Sequence, residues 1–78
     1  MSDTQKHFLI DLGRALRDEA EAAKRDADLA AGEEAAFAKG RSLAYYEVIS
    51  LMKQQATAFG LSLTDVGLAG IDVDRELL

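Results

Sequence analysis

Residues 28–34, DLAAGEE, contain the turn that separates two long helical segments. Gly32 suits the left-handed conformation that ends a helix, and Glu33 and Glu34 suit the positive N-terminal end of the next helix. The chain has no proline, and residues of good helix propensity lie on both sides of this turn. We therefore predict a single all-α domain over 1–78: an antiparallel helical hairpin with helices over about 3–30 and 33–59, a turn at 31–33, and a C-terminal segment over 61–78.

The first predicted helix has one apolar stripe along its length. Ser2 and Gln5 form the pattern of a capping box at its start. Leucine dominates the first half of the stripe and alanine the second, so a partner helix can approach more closely near the turn. The stripe consists of Leu9, Leu12, Leu16, Ala20, Ala23, Ala27 and Ala30.

The second predicted helix has an apolar face close to half its circumference, which is wider than one slim partner helix covers. Because the first helix contributes mostly alanine over its second half, one hairpin buries too little apolar surface. We therefore predict a homodimer in which two hairpins form a four-helix bundle. The face is formed by Phe37, Ala44, Tyr45, Val48, Ile49, Met52, Ala56 and Phe59.

The C-terminal segment, residues 61–78, is too apolar for a solvated tail. Ser62 and Asp65 repeat a weak capping-box pattern, which predicts one or two short helical turns near 63–68. We expect the segment to close the open end of the hairpin, near Phe8, Leu9 and Ile10.

Composition excludes several classes of function. Nine basic and fourteen acidic residues give a net charge of −5, which disfavours binding to nucleic acids. The absence of cysteine excludes disulfides and thiolate metal sites. No apolar run approaches the length of a membrane span, and the polar start MSDTQKHF is not typical of a signal peptide. These features favour a soluble cytoplasmic protein without a membrane segment.

Arg41 lies near the middle of the predicted apolar face. A long arginine can run its stem along apolar neighbours and bring its guanidinium group to a carboxylate at the rim. An ion pair that fixes the helix register and a binding site for a small anion or metabolite are both open at this position. In an antiparallel hairpin the candidate partners and neighbours are Glu19, Glu21, Tyr45 and Glu47.

Residues 43–52, LAYYEVISLM, place apolar and aromatic side chains on the face of the second helix that is expected to be exposed to solvent. Glu47 falls at the edge of the apolar face, so we predict a boundary carboxylate and not a buried catalytic acid. The outward-facing patch marks either the docking site of the C-terminal segment or a contact with another protein. It consists of Leu43, Tyr46 and Ser50, beside Lys39.

No residue pattern is typical of a catalytic or metal site. His7 is the single histidine and has no converging partners in the sequence. Asp72, Asp74 and Glu76 resemble the opening of a calcium loop, which lacks here its central glycine and distal glutamate. We predict no catalytic residue, metal or cofactor, and therefore a protein that is not an enzyme.

The bend between residues 55 and 70 resembles the geometry of a helix-turn-helix. Ala56, Gly60 and Val66 have the small, turn and hydrophobic spacing of that motif. The would-be recognition helix over 62–71 contains no lysine or arginine, which disfavours a role in reading DNA.

The leading functional hypothesis is a small adaptor or regulatory protein of a bacterial type. It would act as a homodimer and bind an unidentified protein partner through the Leu43 and Tyr46 patch or the acidic C-terminal tail. A DNA-associated regulator and a binder of small anions or metabolites around Arg41 are the alternatives.

Overall fold

The computed structural model describes residues 1–78 and contains helices but no strand. Helix α1 spans Asp3–Leu29 and helix α2 spans Glu34–Ala58. A 3-10 turn follows at Thr64–Val66, and a short helix α3 spans Val73–Leu77. The predicted all-α helical hairpin is confirmed. No helix combines the length and the apolar composition that crossing a bilayer requires.

Local signals in the sequence place the helix ends. The Gln5 backbone N–H donates to Ser2 Oγ at 3.2 Å, and the Ser2 N–H donates to Gln5 Oε1 at 2.9 Å, so the predicted capping box is present. Gly60, directly after the C-cap Phe59 of α2, has a φ of 72°, the left-handed conformation that ends α-helices. Gly32 is also left-handed, with a φ of 64°, but it lies within the turn, because α1 already ends before the extended Ala30. After Gly60 the Leu61 N–H donates back to the Ala56 carbonyl at 2.8 Å.

The two long helices pack along lines of small side chains. In α1 the buried residues are Gly13, Ala20, Ala23 and Ala27, so the alanine half of the predicted stripe is confirmed. Leu9, Leu16 and Ala30 are half-buried and Leu12 is exposed.

The predicted apolar face of α2 is only partly correct. The buried residues of α2 are Ser42, Ile49 and Ala56, which are seven residues apart and therefore lie in one line along the helix. This line faces α1. Tyr45 and Met52 lie beside the line and are half-buried. The other members of the predicted face lie further around the helix, beyond the reach of α1, and are exposed: Phe37, Ala44, Val48 and Phe59.

The C-terminal segment supplies half of the core. It crosses one side of the hairpin and buries its own apolar side chains against Ile49, Ala20 and Ala56. Its capping box between Ser62 and Asp65 is present as predicted, with an Asp65 N–H to Ser62 Oγ distance of 3.2 Å. The buried residues of the segment are Val66, Leu68, Ile71, Val73 and Leu77.

The segment docks on α1 through a contact between two glycines. A Cβ atom at Gly13 would overlap the Val66 carbonyl group, and one at Gly67 would overlap the Ile10 carbonyl oxygen. The docking site therefore begins at Ile10, as the sequence suggested, and continues along α1 towards the turn. Phe8 takes no part, because it is 63% exposed.

Candidate functional site

Ion pairs and hydrogen bonds define two sides of the hairpin. On one side Arg41 of α2 reaches Glu19 of α1, with 3.5 Å between Nη2 and Oε2. At 100° per residue, Arg17 lies about 160° around α1 from Glu19, and Tyr46 lies about 140° around α2 from Arg41. Arg17 and Tyr46 therefore lie on the opposite side of the hairpin, where both contact the C-terminal segment. We call the side occupied by residues 61–78 the covered side, and the side of Arg41 and Glu19 the bare side.

On the covered side, two residues of the hairpin, Tyr46 and Arg17, hold the C-terminal segment through polar contacts. The Tyr46 hydroxyl donates to Asp74 Oδ1 at 2.8 Å. That hydrogen bond, together with the negative charge of Asp74, raises the pKa of Tyr46 above its ordinary value. Arg17 donates from Nη1 to the Ala69 carbonyl at 2.8 Å and lies 3.6 Å from Glu76. These contacts attach the loop before α3, and α3 itself, to the two long helices.

The predicted interaction patch lies on the covered side. Its tyrosine, Tyr46, is engaged with α3 of the same chain, and Ser50 lines the shallow cleft between them. Leu43 remains 48% exposed. Of the two roles predicted for this patch, contact with the C-terminal segment accounts for Tyr46, whereas Leu43 is still accessible to another molecule.

Near the turn, the bare side carries charged groups. Arg41 lies 3.5 Å from Glu19 and 3.9 Å from Asp26, and its guanidinium stacks 5.2 Å from the centre of the Tyr45 ring. Glu21, the other predicted partner, is bound instead by Arg17 on its own helix, with an Nε to Oε1 distance of 3.1 Å. Glu47 is exposed and forms no hydrogen bond or ion pair.

Beside Arg41 an open cleft of about 700 Å³ follows the turn. Three carboxylate groups and one guanidinium line it, so its polar rim has a negative balance. Such a rim suits an anion poorly. The charged residues are Asp26, Glu33, Glu34 and Arg41, and the apolar lining is Leu29, Ala30, Phe37 and Ala38.

Towards the open end, the bare side becomes apolar. Leu12 and Phe8 precede Glu19 by seven and eleven residues, about two and three helical turns, so they share its side of α1. Val48 and Phe59 follow Arg41 by seven and eighteen residues, about two and five turns. Their exposed fractions are 41% for Leu12, 63% for Phe8, 42% for Val48 and 76% for Phe59. We call these four residues, with the half-buried Met52 between them, the apolar patch.

The segment that resembles a helix-turn-helix does not form a recognition helix like that of a DNA-binding protein. Only Thr64–Val66 is helical between residues 62 and 71, and this is a 3-10 turn. The apolar residues there, Val66, Leu68 and Ile71, are buried against the hairpin. A recognition helix needs several exposed turns to enter a groove, and this segment has none.

Two carboxylates of the C-terminal tail, those of Asp72 and Glu76, act as local caps. Asp72 accepts a hydrogen bond from the Arg75 N–H at 3.2 Å, and Glu76 accepts one from the Asp72 N–H at 2.7 Å. No group of three or more histidine or carboxylate side chains converges as a metal site would require. His7 is exposed.

Sequence reasoning missed Gly13 and Arg17, which position the C-terminal segment. Glycine inside a helix lowers the stability of that helix, so its presence at position 13 could have indicated a close backbone contact there. Arg17 carried no comparable signal, because its partner Ala69 lies 52 residues away and offers only a backbone carbonyl.

No protein family, protein of known function or solved structure matches this chain.

Proposed function

We propose that the protein is a non-enzymatic protein-interaction module that acts as a homodimer, with two hairpins packed into a four-helix bundle. The observation that carries this proposal is the apolar patch on the bare side. The C-terminal segment covers one side of the hairpin, and no part of the chain covers the other.

The size of the apolar patch supports an interface. At roughly 200 Å² per side chain, the exposed fractions of Phe8, Leu12, Val48 and Phe59 correspond to about 400 Å² of apolar surface. The largest apolar patch on a typical monomer is roughly 300–600 Å² and is often functional, which makes this surface a candidate interface. A standard interface buries roughly 800 Å² per partner, so the patch would supply about half of one side of such an interface.

The small core also favours association. The fully buried large side chains are Ile49 and Leu68, and most other buried residues of the hairpin are alanine. A chain of 78 residues has little stability in reserve. Packing a second hairpin on the bare side would enclose Val48 and Met52 and would add the leucine half of α1 to a common core.

An adaptor also needs a surface for its partner. Leu43 on the covered side and the acidic residues of the C-terminal tail would stay exposed after dimerisation through the bare side. We assign the contact with a further protein to this region, because Leu43 is 48% exposed and residues 61–78 carry four acidic residues against one basic residue.

The two alternative functions have less support. A DNA-associated regulator lacks a recognition helix over 62–71, and the local charge is negative. A binder of small anions around Arg41 would have to displace two carboxylates, because Glu19 and Asp26 already face the guanidinium.

A pair of aspartate substitutions tests the dimer. Val48→Asp places a charge in the apolar patch and should convert the dimer to monomer, because burying an unpaired carboxylate costs several kcal/mol. Leu43→Asp is the matched control, since Leu43 has a similar exposed fraction, 48% against 42%, and lies on the covered side of the same helix.

Sedimentation velocity at micromolar concentration gives the readout. We expect wild type and Leu43→Asp to sediment as dimers and Val48→Asp as a folded monomer, with folding monitored by circular dichroism. Equal dimer fractions for all three proteins would contradict an interface on the bare side.

A further inference from the structure

We infer that the second copy packs only on the open-end half of the bare side, so that the two hairpins overlap by their open ends and their turns point in opposite directions. This inference rests on the proposed homodimer and adds its geometry. It follows from the uneven distribution of charge along the bare side.

A symmetric dimer requires a self-complementary surface. In a two-fold interface each residue near the axis meets its own copy, so an uncharged apolar surface can pair with itself, whereas a surface with one dominant charge repels itself. The open-end half satisfies this condition. Helical spacing places on it, besides the apolar patch, the uncharged residues Thr4, Gln5, Leu9, Ala15, Leu16, Leu51 and Gln55, with Asp11 at its outer margin as the one charged residue.

The turn-end half does not satisfy this condition. It carries four carboxylates against one guanidinium, and that guanidinium is already shared between Glu19 and Asp26. Glu33 and Glu34 have no ion pair in the chain. A parallel dimer with both turns at the same end would bring two such negative surfaces together and would desolvate them.

Overlap of the open ends avoids this repulsion. If the two-fold axis crosses the hairpin at the level of Leu12, the overlap extends over roughly 25 Å, at 1.5 Å per helical residue. Its edges reach the Arg41 and Glu19 ion pair, whereas Asp26, Glu33 and Glu34 lie outside it. Because one chain is 47 Å long, the dimer would be about 70 Å long. The turn-end clefts, with Phe37 and Leu29, would remain open at its two ends.

The separation of the two turns distinguishes the arrangements. Leu29 lies seventeen residues beyond Leu12 on α1, or about 25 Å along the axis. The two copies of Leu29 should therefore be about 50 Å apart in the proposed dimer. They would be roughly 25 Å apart or closer in a parallel dimer, and about 40 Å apart if antiparallel hairpins overlapped over their full length.

A spin-label distance measurement tests this geometry. The natural chain has no cysteine, so Leu29→Cys carries a nitroxide at a single site, and Leu29 is 84% exposed and lies outside the apolar patch. Double electron–electron resonance of the labelled protein should give a distance near 50 Å. The same label in a Val48→Asp background should give no intermolecular distance.

A main distance of about 40 Å or less would overturn the open-end arrangement while leaving the homodimer intact. Sedimentation of the labelled protein, measured on the same sample, separates the two failures. A monomer by sedimentation would overturn the proposed homodimer and, with it, this inference.

Discussion

Gly13 and Gly40 are both interior glycines of long helices, yet their surroundings differ. A Cβ at Gly13 would overlap the backbone of Val66, whereas nothing lies within 4 Å of a Cβ at Gly40. Helix propensity alone predicts that alanine stabilises both positions by up to about 1 kcal/mol. The packing of the C-terminal segment predicts opposite outcomes.

We expect Gly13→Ala to destabilise the protein by about 1–3 kcal/mol, because the added methyl group pushes the 3-10 turn away from α1. Gly40→Ala is the matched control and should stabilise the protein by up to about 1 kcal/mol. Urea denaturation followed by circular dichroism measures both changes. Stabilisation by Gly13→Ala would show that the close glycine contact is absent in solution.

Asp65 makes the capping box of the C-terminal segment dependent on pH. Hydrogen bonds from the backbone and side chain of Ser62 lower the pKa of Asp65 below its ordinary value. A carboxylate whose pKa is lower in the folded state stabilises that state above its unfolded pKa, and the stabilisation disappears as the pH falls through the folded pKa.

We therefore expect Asp65→Asn to destabilise the protein at pH 7 and to have a smaller effect near pH 2, where the wild-type aspartate is also neutral. The free energy of unfolding of both proteins, measured from pH 7 to pH 2, checks this expectation. A constant difference across that range would mean that the ionised form of Asp65 makes no special contribution.

The sequence predicted the residues at which helices begin and end better than it predicted which face of each helix is buried. The ends depend on local signals, namely the Ser2 and Gln5 capping box at the start of α1 and the left-handed Gly60 after α2, and both are present in the structure. The buried face of α2 depends on its neighbours. Its apolar residues extend over half of the circumference, and the buried line includes the polar residue Ser42, so composition alone did not orient the helix.

The path of the C-terminal segment was predicted only in outline. Its apolar content indicated docking, but the position depends on the contact between Gly13 and Gly67 and on a side chain to backbone bond from Arg17. Such contacts join residues more than 50 positions apart and leave no periodic pattern in the sequence. The same limit applies to the candidate site, because Tyr46 was identified without its partner Asp74.

Arg17 should control the attachment of this segment. Replacing it with alanine removes the hydrogen bond to the Ala69 carbonyl and the contacts with Glu76 and Glu21. We expect amide exchange in residues 68–77 to accelerate by roughly tenfold, which corresponds to a loss of about 1.4 kcal/mol. This value lies just below the range of about 1.5–3 kcal/mol for a hydrogen bond made by a charged group, because Arg17 is partly exposed.

Arg25→Ala is the control for this experiment, because Arg25 lies on the same helix and forms no ion pair. Hydrogen exchange followed by mass spectrometry of C-terminal peptides gives the rates. Equal rates in the Arg17 and Arg25 variants would show that the segment is held by its apolar residues alone.

The folded chain is an elongated hairpin with two unequal sides. Residues 61–78 complete the core on the covered side, and the apolar patch on the other side has no partner within the chain. The sequence indicated an excess of apolar helical surface, and the exposed fractions of Phe8, Val48 and Phe59 are consistent with that excess. The homodimer and its adaptor role are proposals that follow from this surface.

The molar mass of the wild-type protein in solution tests the homodimer most directly. Sedimentation equilibrium over a range of micromolar concentrations should give twice the chain mass of 8.4 kDa, with dissociation only on dilution. A well-folded species of 8.4 kDa throughout that range would contradict the proposal that a second copy covers the bare side.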